Sequence, residues 1–283
     1  MKFTKMHGAG NDYVYVNGFD YESDWSKLSE FVSDRHTGIG SDGLIVALPS
    51  ITADVRMRMF NADGSEGDMC GNGIRCLVAF GIEQNILSND TDVKKIETKS
   101  GILGVTPEFS AGQMVGARVS MGIPDFVPSN IPVSLDGNPN PVLDHELEVD
   151  SHGIQLGFVS MGNPHAVAFM EEDVDDFPLD SVGPLIENNP IFPNRINFEI
   201  NNVLGRDRIK TRVWERGSGL TMACGTGACA VVAIAHQRGM VDDEVFVDLP
   251  GGSLKINWDG VGDVYMTGPV ETVFHGELLN SRL

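Results

Sequence analysis

Two cysteines in this sequence stand immediately before a Gly-x-Gly step: Cys70 in MCGNGIRC (69–76) and Cys224 in ACGTGACA (223–230). Each is followed by a segment whose alanine and leucine content favours a helix. The first turn of a helix presents N–H groups and the positive end of the macrodipole, and both favour a thiolate. Glycines at that point let the backbone approach an anion closely. The sequence therefore predicts two acid–base thiols beside two carboxylate-binding helix ends.

A carbon atom held between two such thiols can lose a proton to one of them and receive a proton from the other on its opposite face. The carboxylate attached to that carbon would be bound by the amides of both helix ends, which would absorb part of the developing charge. The product is an inverted stereocentre. The paired motifs therefore predict a racemase or an epimerase.

Other interpretations explain one motif but leave the second without a role. Residues 225–230, GTGACA, formally fit the dinucleotide fingerprint G-x-G-x-x-A, but the RGSGLTM stretch before them is not a hydrophobic strand. A cysteine nucleophile with His165 or His36 as its base would use a single thiol. Structural glycines with buried cysteines would account for either motif taken alone. The matched pair favours the two-thiol interpretation.

The two motifs belong to a longer internal repeat. Asn11 and Asn163 are 152 residues apart, Cys70 and Cys224 are 154 apart, and short similar stretches recur in the same order at similar offsets. The paired stretches are HGAGND (7–12) with MGNPHA (161–166), NADGSEGDMCGNG (61–73) with ERGSGLTMACGTG (215–227), TKSGILGV (98–105) with LPGGSLKI (249–256), and ARVSMGIP (117–124) with DVYMTGPV (263–270). Repetition at a fixed offset predicts a duplicated domain.

Most of the chain between these landmarks has the pattern of short strands. Runs of β-branched and aromatic residues ended by turn residues are found at 12–18, 43–49, 55–60, 165–170, 208–214 and 243–250. Helical patterns are confined to 24–35, with Asp24 as N-cap, and to the two segments after the cysteines. We therefore expect an α+β protein in which each half has many strands around one main helix.

Composition limits the kind of partner. With 283 residues the chain is long enough for two domains, and its net charge of −20 disfavours nucleic acid, whose phosphates it would repel. No stretch reaches the roughly 18 apolar residues of a membrane helix, and the start lacks the apolar core of a signal peptide. Four cysteines are too few for a disulfide scaffold, and their spacing does not match zinc sites. We expect a soluble, cytoplasmic protein with a small-molecule substrate and no metal.

Six motifs covering most of the chain carry a resemblance to the diaminopimelate epimerase family. They are HGAGNDY (7–13), RHTGIGSDG (35–43), FNADGSEGDMCGNGIRC (60–76), SMGNPHAV (160–167), PNRINF (193–198) and WERGSGLTMACGTGACA (214–230). Proline racemase-like proteins share the paired thiols but not these motif sequences, and relatives of the phenazine-biosynthesis isomerase type lack the paired thiols.

The resemblance implies two pseudo-symmetric domains, each a mixed, barrel-like β-sheet around a central helix, with the active site in the cleft between them. The first domain would span 1–122 and be completed by strands from 263–283, and the second would span 123–262. The resemblance also implies interconversion of LL- and meso-2,6-diaminopimelate without pyridoxal phosphate or any other cofactor, and a homodimer.

Site residues follow from the matching motif positions. The resemblance implies that Cys70 and Cys224 are the acid–base pair and that His165, beside the thiols, and Glu215 are further catalytic residues. It also implies that Glu215 and Arg216 meet the ammonium and carboxylate groups of the substrate. The remaining substrate-binding residues would be Asn11, Asn61, Gly71, Asn72, Asn163, Asn197, Gly225 and Thr226.

Several of these residues also have a structural interpretation. Asn61 and Asn197 are typical turn residues, Glu215 and Arg216 could end a solvated strand, and His165 could be a hydrogen-bonded core histidine. The sequence also departs from the family pattern at one position.

That departure is Gly43, which stands where some family members carry glutamine. A glycine has no side chain to contribute to a site. We expect the backbone, or a neighbouring residue, to take the place of the glutamine side chain.

Overall fold

The computed structural model describes residues 1–19, 21–67, 69–137, 140–150 and 152–279, with only the backbone of residue 152. The chain divides into two compact units. Unit 1 consists of Met1–Ser120 together with the chain from Thr267 onward, and unit 2 is Met121–Met266. The expected boundaries were 122 and 262; the last four residues of the expected closing segment, 280–283, lie outside the described part.

The structure contains four helices and eighteen strands in the described ranges. In chain order they are β1 (Lys2–Gly8), β2 (Asn11–Asn17), α1 (Trp25–Ser33), β3 (Gly43–Leu48), β4 (Val55–Asn61), β5 (Glu66–Gly67), α2 (Gly71–Glu83), β6 (Lys94–Thr98), β7 (Gly101–Ser110), β8 (Gln113–Ser120), β9 (His145–Val149), β10 (His152–Ser160), β11 (Pro164–Phe169), α3 (Leu179–Glu187), β12 (Asn197–Gly205), β13 (Arg208–Glu215), β14 (Gly219–Leu220), α4 (Gly225–Gln237), β15 (Glu244–Leu249), β16 (Gly252–Asn257), β17 (Tyr265–Pro269) and β18 (Glu271–Glu277).

Unit 1 is built on a mixed sheet that uses both ends of the chain. Strand β1 pairs antiparallel with β18 on one side and with β2 on the other. Strand β2 is parallel to β3, and β3 is antiparallel to β4. Strand β4 pairs antiparallel with β5 and parallel with β6. The sheet continues antiparallel through β7 to β8, which pairs with β17.

Unit 2 repeats this sequence of pairings. Strand β10 is antiparallel to β9 and β11, β11 is parallel to β12, and β12 is antiparallel to β13. Strand β13 pairs antiparallel with β14 and parallel with β15, and β15 is antiparallel to β16. The helices also recur at the same places. Helix α1 precedes β3 and α3 precedes the equivalent β12, while α2 precedes β6 and α4 precedes the equivalent β15. The predicted duplication is confirmed at the level of topology.

One helix in each unit is enclosed by its sheet. Helix α2 contacts β1, β2, β3, β7 and β8, and α4 contacts β10, β11, β12 and β16. The Tyr15 hydroxyl donates to Gly73 O at 3.1 Å, and the Tyr15 ring packs against Phe80. Helix α4 is buried on nearly every side, including its β-branched residues, so burial outweighs their weak helix propensity. The predicted fold of sheet around a central helix is therefore confirmed.

Helix α3 was not predicted from the sequence. It has only nine residues and carries Gly183 and Pro184 in its interior, and both disfavour a helix. Packing explains its presence, because Leu179, Val182 and Ile186 belong to the apolar core of unit 2. Close packing also explains Gly183, since a Cβ at that position would lie about 2.5 Å from the Trp214 ring.

Gly43 is required by the sheet itself. A Cβ built at Gly43 would lie 2.1 Å from the Phe60 carbonyl oxygen on the neighbouring strand β4, and 3.1 Å from Cε1 of Tyr13. Backbone atoms of a sheet cannot move away as a flexible side chain can. This position therefore excludes any side chain, including glutamine.

We expect Gly43→Ala to lower the free energy of unfolding by about 2 kcal/mol or more, because the new methyl group overlaps a sheet carbonyl. The measurement is urea unfolding followed by circular dichroism. The matched control is Gly153→Ala, also in a strand, where the new Cβ would meet only Glu146 Oε1 at 3.6 Å. Equal stability of the two variants would contradict this account of Gly43.

Candidate functional site

Cys70 is the N-cap of helix α2. Its backbone is extended (φ −131°, ψ 117°), and its sulfur accepts a hydrogen bond from the Gly73 N–H at 3.3 Å. This is the capping geometry that serine commonly adopts, with sulfur in place of oxygen. Glycine at position 73 also lets Ile45 pack against this first turn, because a Cβ there would lie 2.5 Å from Ile45 Cδ1. The sequence Cys-Gly-x-Gly thus places a half-buried thiol at the positive end of a buried helix.

Asn11 and Asp42 fix the surroundings of the Cys70 thiol. Asn11 Nδ2 donates to Asp42 Oδ2 at 2.7 Å, which turns Asn11 Oδ1 toward the sulfur. The Cys70 Sγ–H donates to that oxygen across 3.1 Å. Asp42 is itself held by the Asp12 N–H at 3.0 Å and by Arg35 Nη2 at 3.0 Å. A row of polar contacts therefore runs from the surface to the thiol.

Tyr13 is a further polar neighbour of Cys70. Its side chain is buried, and its hydroxyl lies close to Cys70 and Asn11. Burial first, and then Cys70 and Asp42, raise the pKa of Tyr13 well above its usual value. The hydroxyl therefore remains protonated near neutral pH. The Tyr13 ring also lies against Gly43.

The other selected residues of unit 1 occupy different surroundings. Asn72 is buried, and its Oδ1 accepts from Arg75 Nη2 at 3.0 Å. Arg75 also donates to Gly71 O at 3.1 Å, so both residues of the first turn are tied to this buried guanidinium. Asn61 is exposed at the end of β4, where its Nδ2 donates to Ser65 Oγ at 3.0 Å. Asn61 thus takes part in a turn, as its alternative interpretation proposed.

Cys224 caps helix α4 in the same way as Cys70 caps α2. Its backbone angles are φ −124° and ψ 113°, and its sulfur accepts from the Gly227 N–H at 3.3 Å. The thiol also lies 3.5 Å from Thr226 Oγ1. Unlike Cys70, it is buried. The two halves of the repeat therefore share a capping geometry but differ in how far they expose the sulfur.

A row of polar side chains leads away from Cys224 into the core of unit 2. Asn163 Nδ2 donates to Thr226 Oγ1 at 3.2 Å, and His165 Nε2 lies 3.0 Å from Asn163 Oδ1. On its other side, His165 Nδ1 lies 2.7 Å from Glu199 Oε1, and both side chains are fully buried. Both ring nitrogens of His165 are thus engaged with protein groups.

Glu215 and Arg216 lie at the end of strand β13. Glu215 Oε1 accepts from Thr221 Oγ1 at 2.6 Å. The Arg216 N–H donates to Asn197 Oδ1 at 2.9 Å, and Asn197 Nδ2 donates to Pro164 O at 2.8 Å. Asn197 is buried. Its amide therefore connects the Arg216 backbone to strand β11.

Glu187, the last residue of α3, holds the turn that follows Arg216. Its Oε1 accepts from the Gly217 N–H at 2.8 Å and from Arg195 Nη1 at 3.1 Å, and its Oε2 accepts from Trp214 Nε1 at 2.7 Å. Three donors on one buried carboxylate fix the turn and, with it, the direction of the preceding side chains. Helix α3, which was not predicted from the sequence, therefore positions residues that were selected from the sequence.

The electrostatic surroundings of Cys224 disfavour a thiolate in the free protein. Burial, followed by the nearby carboxylates of Glu215 and Glu199, raises the pKa of Cys224 well above its usual value, although Thr226 and Gly227 oppose this shift by hydrogen bonding. A positively charged ligand group near these carboxylates would reduce this effect. The arrangement thus suits a thiol that changes protonation state when a cationic substrate is bound.

Sequence reasoning did not select Tyr13, Asp42, Glu187 or Glu199. Tyr13 and Asp42 lie inside selected sequence motifs, and Glu199 directly follows another such motif. For these three residues, a place in or beside a selected motif was the available signal, whereas Glu187 had none. Within the described residues no group of three or more His, Cys, Asp or Glu side chains could hold a metal ion. In the same part of the chain, no helix has the length and apolar character to cross a membrane.

Comparison with known proteins gives a family match over most of the chain. Residues 3–127 and 157–273 match the sequence profile of the diaminopimelate epimerases. The diaminopimelate epimerase of Desulfovibrio desulfuricans is 48% identical over 283 residues, covering 98% of each chain. That of Methanococcus maripaludis is 46% identical over 280 residues, covering 98% of this chain and 99% of the relative.

Solved structures with the same fold are more distant in sequence. A probable proline racemase from Agrobacterium radiobacter superposes with a TM-score of 0.70 at 16% identity, covering 99% of this chain and 94% of the other. A phenazine biosynthesis protein of the PhzF family from Bacillus anthracis gives 0.68 at 16% identity, covering 99% of both chains. These similarities establish the shared two-domain fold.

We expect iodoacetamide at pH 8 to alkylate Cys70 well before the other cysteines. Cys70 is half-buried and the other three are buried, burial raises the pKa of Cys76 to about 11, and the pKa of Cys224 is also raised. Because only thiolates react, labelling of Cys76 and Cys224 should increase as pH rises toward 11. Peptide mapping by mass spectrometry measures this order, and faster labelling of Cys76 than of Cys70 would contradict it.

Proposed function

The chain belongs to the diaminopimelate epimerase family, and from this premise we propose that it interconverts LL- and meso-2,6-diaminopimelate by proton transfer between Cys70 and Cys224. The observation that carries the proposal is the equivalence of the two thiols. Each caps the central helix of its own copy of the repeat, and each accepts a hydrogen bond from a first-turn glycine amide. A reaction at one carbon with two opposite faces requires two such groups.

In the proposed reaction one cysteine is a thiolate and the other a thiol. The thiolate removes the proton from the α-carbon, and the electron pair left on that carbon delocalises into its carboxylate. The thiol then gives its proton to the opposite face of the carbon. Its sulfur ends as the thiolate, so the two cysteines have exchanged protonation states and the configuration is inverted.

Binding of the reacting carboxylate is assigned to the two helix ends. Backbone N–H groups at Gly71, Asn72, Gly225 and Thr226 lie in the first turns of α2 and α4. Such groups, together with the positive end of each helix, stabilise an anion, and they stabilise it more as negative charge accumulates during proton removal. No cofactor is needed in this scheme, because the carboxylate itself takes up the charge.

Recognition of the distal end of the substrate is assigned to charged and amide side chains. Arg216 and Glu215 offer opposite charges for a carboxylate and an ammonium group, and Asn11 and Asn163 flank the two thiol regions. For Asn197, we propose a positioning role through the Arg216 backbone, because both ends of its amide bond to protein groups. Asn61 would contribute from the exposed β4–β5 turn.

The proposal extends to biological context. The reaction belongs to lysine biosynthesis, and we propose that the protein works in the cytoplasm as a homodimer. Its partner would then be the small-molecule substrate, without nucleic acid or membrane. The charge of −20 supports the exclusion of nucleic acid.

Replacing either proposed acid–base cysteine by alanine should lower the epimerisation rate by about 10³-fold or more, because each direction needs one thiolate and one thiol. The measurement is deuterium incorporation from solvent into LL- and meso-diaminopimelate by the reduced protein. The matched control is Cys229→Ala, a buried cysteine in the interior of α4, which should retain most of the activity. Full activity of either Cys70→Ala or Cys224→Ala would overturn the two-base mechanism.

Amino acids without the distal charged groups should be poor substrates. Lysine lacks the distal carboxylate and alanine lacks both distal groups, so each leaves polar groups of the site unpaired. We expect kcat/KM for either to be lower than for diaminopimelate by about 10³-fold or more. Polarimetry with each amino acid tests this, and comparable turnover of alanine would indicate a general racemase instead.

A further inference from the structure

We propose that Glu199, a buried carboxyl group with no part in the reaction above, is a positioning residue that sets the tautomer of His165 and thereby directs a row of hydrogen-bond donors toward the Cys224 sulfur. The inference rests on the proposed function only for its effect on turnover. Its effect on the Cys224 thiol can be measured without substrate.

The position of Glu199 is unusual for a carboxyl group. Its side chain is fully buried in β12, one oxygen lies 2.7 Å from His165 Nδ1, and the other, Oε2, has no hydrogen-bond partner. A Cβ at Gly227 would lie 2.9 Å from Glu199 Oε1, so helix α4 leaves room for this carboxyl group next to the Cys224 cap. Burying such a group is costly unless it is well paired.

The fold does not require a polar residue at this point. Register places His165 opposite Asn197 in unit 2 and Tyr13 opposite Gly43 in unit 1. Glu199 lies two residues after Asn197 in β12, and Ile45 lies two residues after Gly43 in β3. The position of Glu199 therefore corresponds to that of Ile45, which is fully buried and apolar. One repeat therefore builds the same part of its core without a carboxyl group, so a purely structural need does not explain Glu199.

The Glu199–His165 contact decides which way the imidazole donates. A proton must lie between Glu199 Oε1 and His165 Nδ1, either on the carboxyl oxygen or on the ring nitrogen. With the proton on Glu199, the neutral ring carries its own proton on Nε2. With it on Nδ1, Nε2 is protonated as well and the ring is an imidazolium, because Nε2 faces Asn163 Oδ1, which can only accept. In both cases the Nε2–H donates to Asn163 Oδ1, which lies 3.0 Å away.

This direction continues to the sulfur. With its oxygen bound by His165, Asn163 presents its NH₂ group to Thr226 Oγ1. The threonine oxygen then accepts from Asn163, and its own O–H is left to donate to Cys224 Sγ at 3.5 Å. Each donor in the row points toward Cys224. Such a row stabilises the thiolate in a place where burial and carboxylates oppose it.

Without an acidic partner for Nδ1, the row can reverse. The neutral imidazole could then carry its proton on Nδ1, so that Nε2 becomes an acceptor and the Asn163 amide turns its NH₂ group toward it. Asn163 Oδ1 would face Thr226 and capture the threonine O–H. The Cys224 thiolate would lose a donor, and its pKa would rise.

The test compares Glu199→Gln with Glu199→Leu. Glutamine can donate an amide N–H to His165 Nδ1 and keep the Nε2–H, whereas leucine cannot bond to the ring. Both variants remove the carboxylate that raises the pKa of Cys224, so they are compared with each other. For E199L we expect the midpoint of the pH profile for Cys224 alkylation by iodoacetamide to lie about one unit above that of E199Q, in line with a lost hydrogen bond to a charged group. In both variants the Cys70 profile should not change.

Thr226→Val provides a second route that does not disturb the core. It removes the last donor and keeps the Glu199 carboxylate, and we expect the Cys224 profile to shift upward by about one unit. In the E199L/T226V double variant the shifts should not add, because both changes interrupt one row. The matched control is Thr211→Val, which breaks a buried hydrogen bond from β13 to Asn201 of β12, the strand that carries Glu199. It should leave the Cys224 profile unchanged.

Three results would overturn the inference: equal Cys224 profiles in folded E199L and E199Q, an unshifted Cys224 profile in T226V, or additive shifts in the double variant. Turnover is a separate readout, and kcat for diaminopimelate should fall about tenfold in E199L with little change in KM. A shifted Cys224 profile in a protein that never epimerises diaminopimelate would contradict the proposed function and leave the role of Glu199 intact.

Discussion

The capping of a buried helix by a cysteine sulfur is the interaction on which the described sites depend. A helix enclosed by a sheet cannot satisfy its first amides with water, so a side chain at the N-cap must accept at least one of them. Cys70 and Cys224 both do so. The same requirement brings the thiol, the helix dipole and the flanking glycines into one place. Reactivity here is therefore built from a group that the fold already needs.

Much of this arrangement could be predicted because it is local in sequence. The Cys-Gly-x-Gly motifs, the strand patterns and the repeat all leave signals within short windows. For Glu199 and Asp42 the only such signal is a place beside or inside a motif, since a lone acidic residue in or beside a strand is normally exposed. Their function depends on His165 and Asn11, which lie more than thirty residues away. Helix α3 was missed for a related reason, because core packing outweighs its poor local propensity.

The two copies of the repeat have kept their backbone and diverged in polarity. At equivalent positions, Asn11 presents its oxygen to the Cys70 thiol, whereas Asn163 presents its NH₂ group toward Thr226 and Cys224. The difference arises from what lies behind each amide: the carboxylate of Asp42 in one copy and the ring of His165 in the other. Duplication thus supplied two similar frames, and a few buried partners made them chemically distinct.

The pairing of β1 with β18 affects how the chain can fold during synthesis. Strand β1 of unit 1 precedes every other described strand in the chain, yet its neighbour β18 is synthesised after all of them. Unit 2 is continuous and can complete its sheet earlier. Until β18 has been made, β1 presents unpaired backbone groups, which favour association with other chains. The half that carries Cys70 is therefore the last to be protected in a newly made molecule.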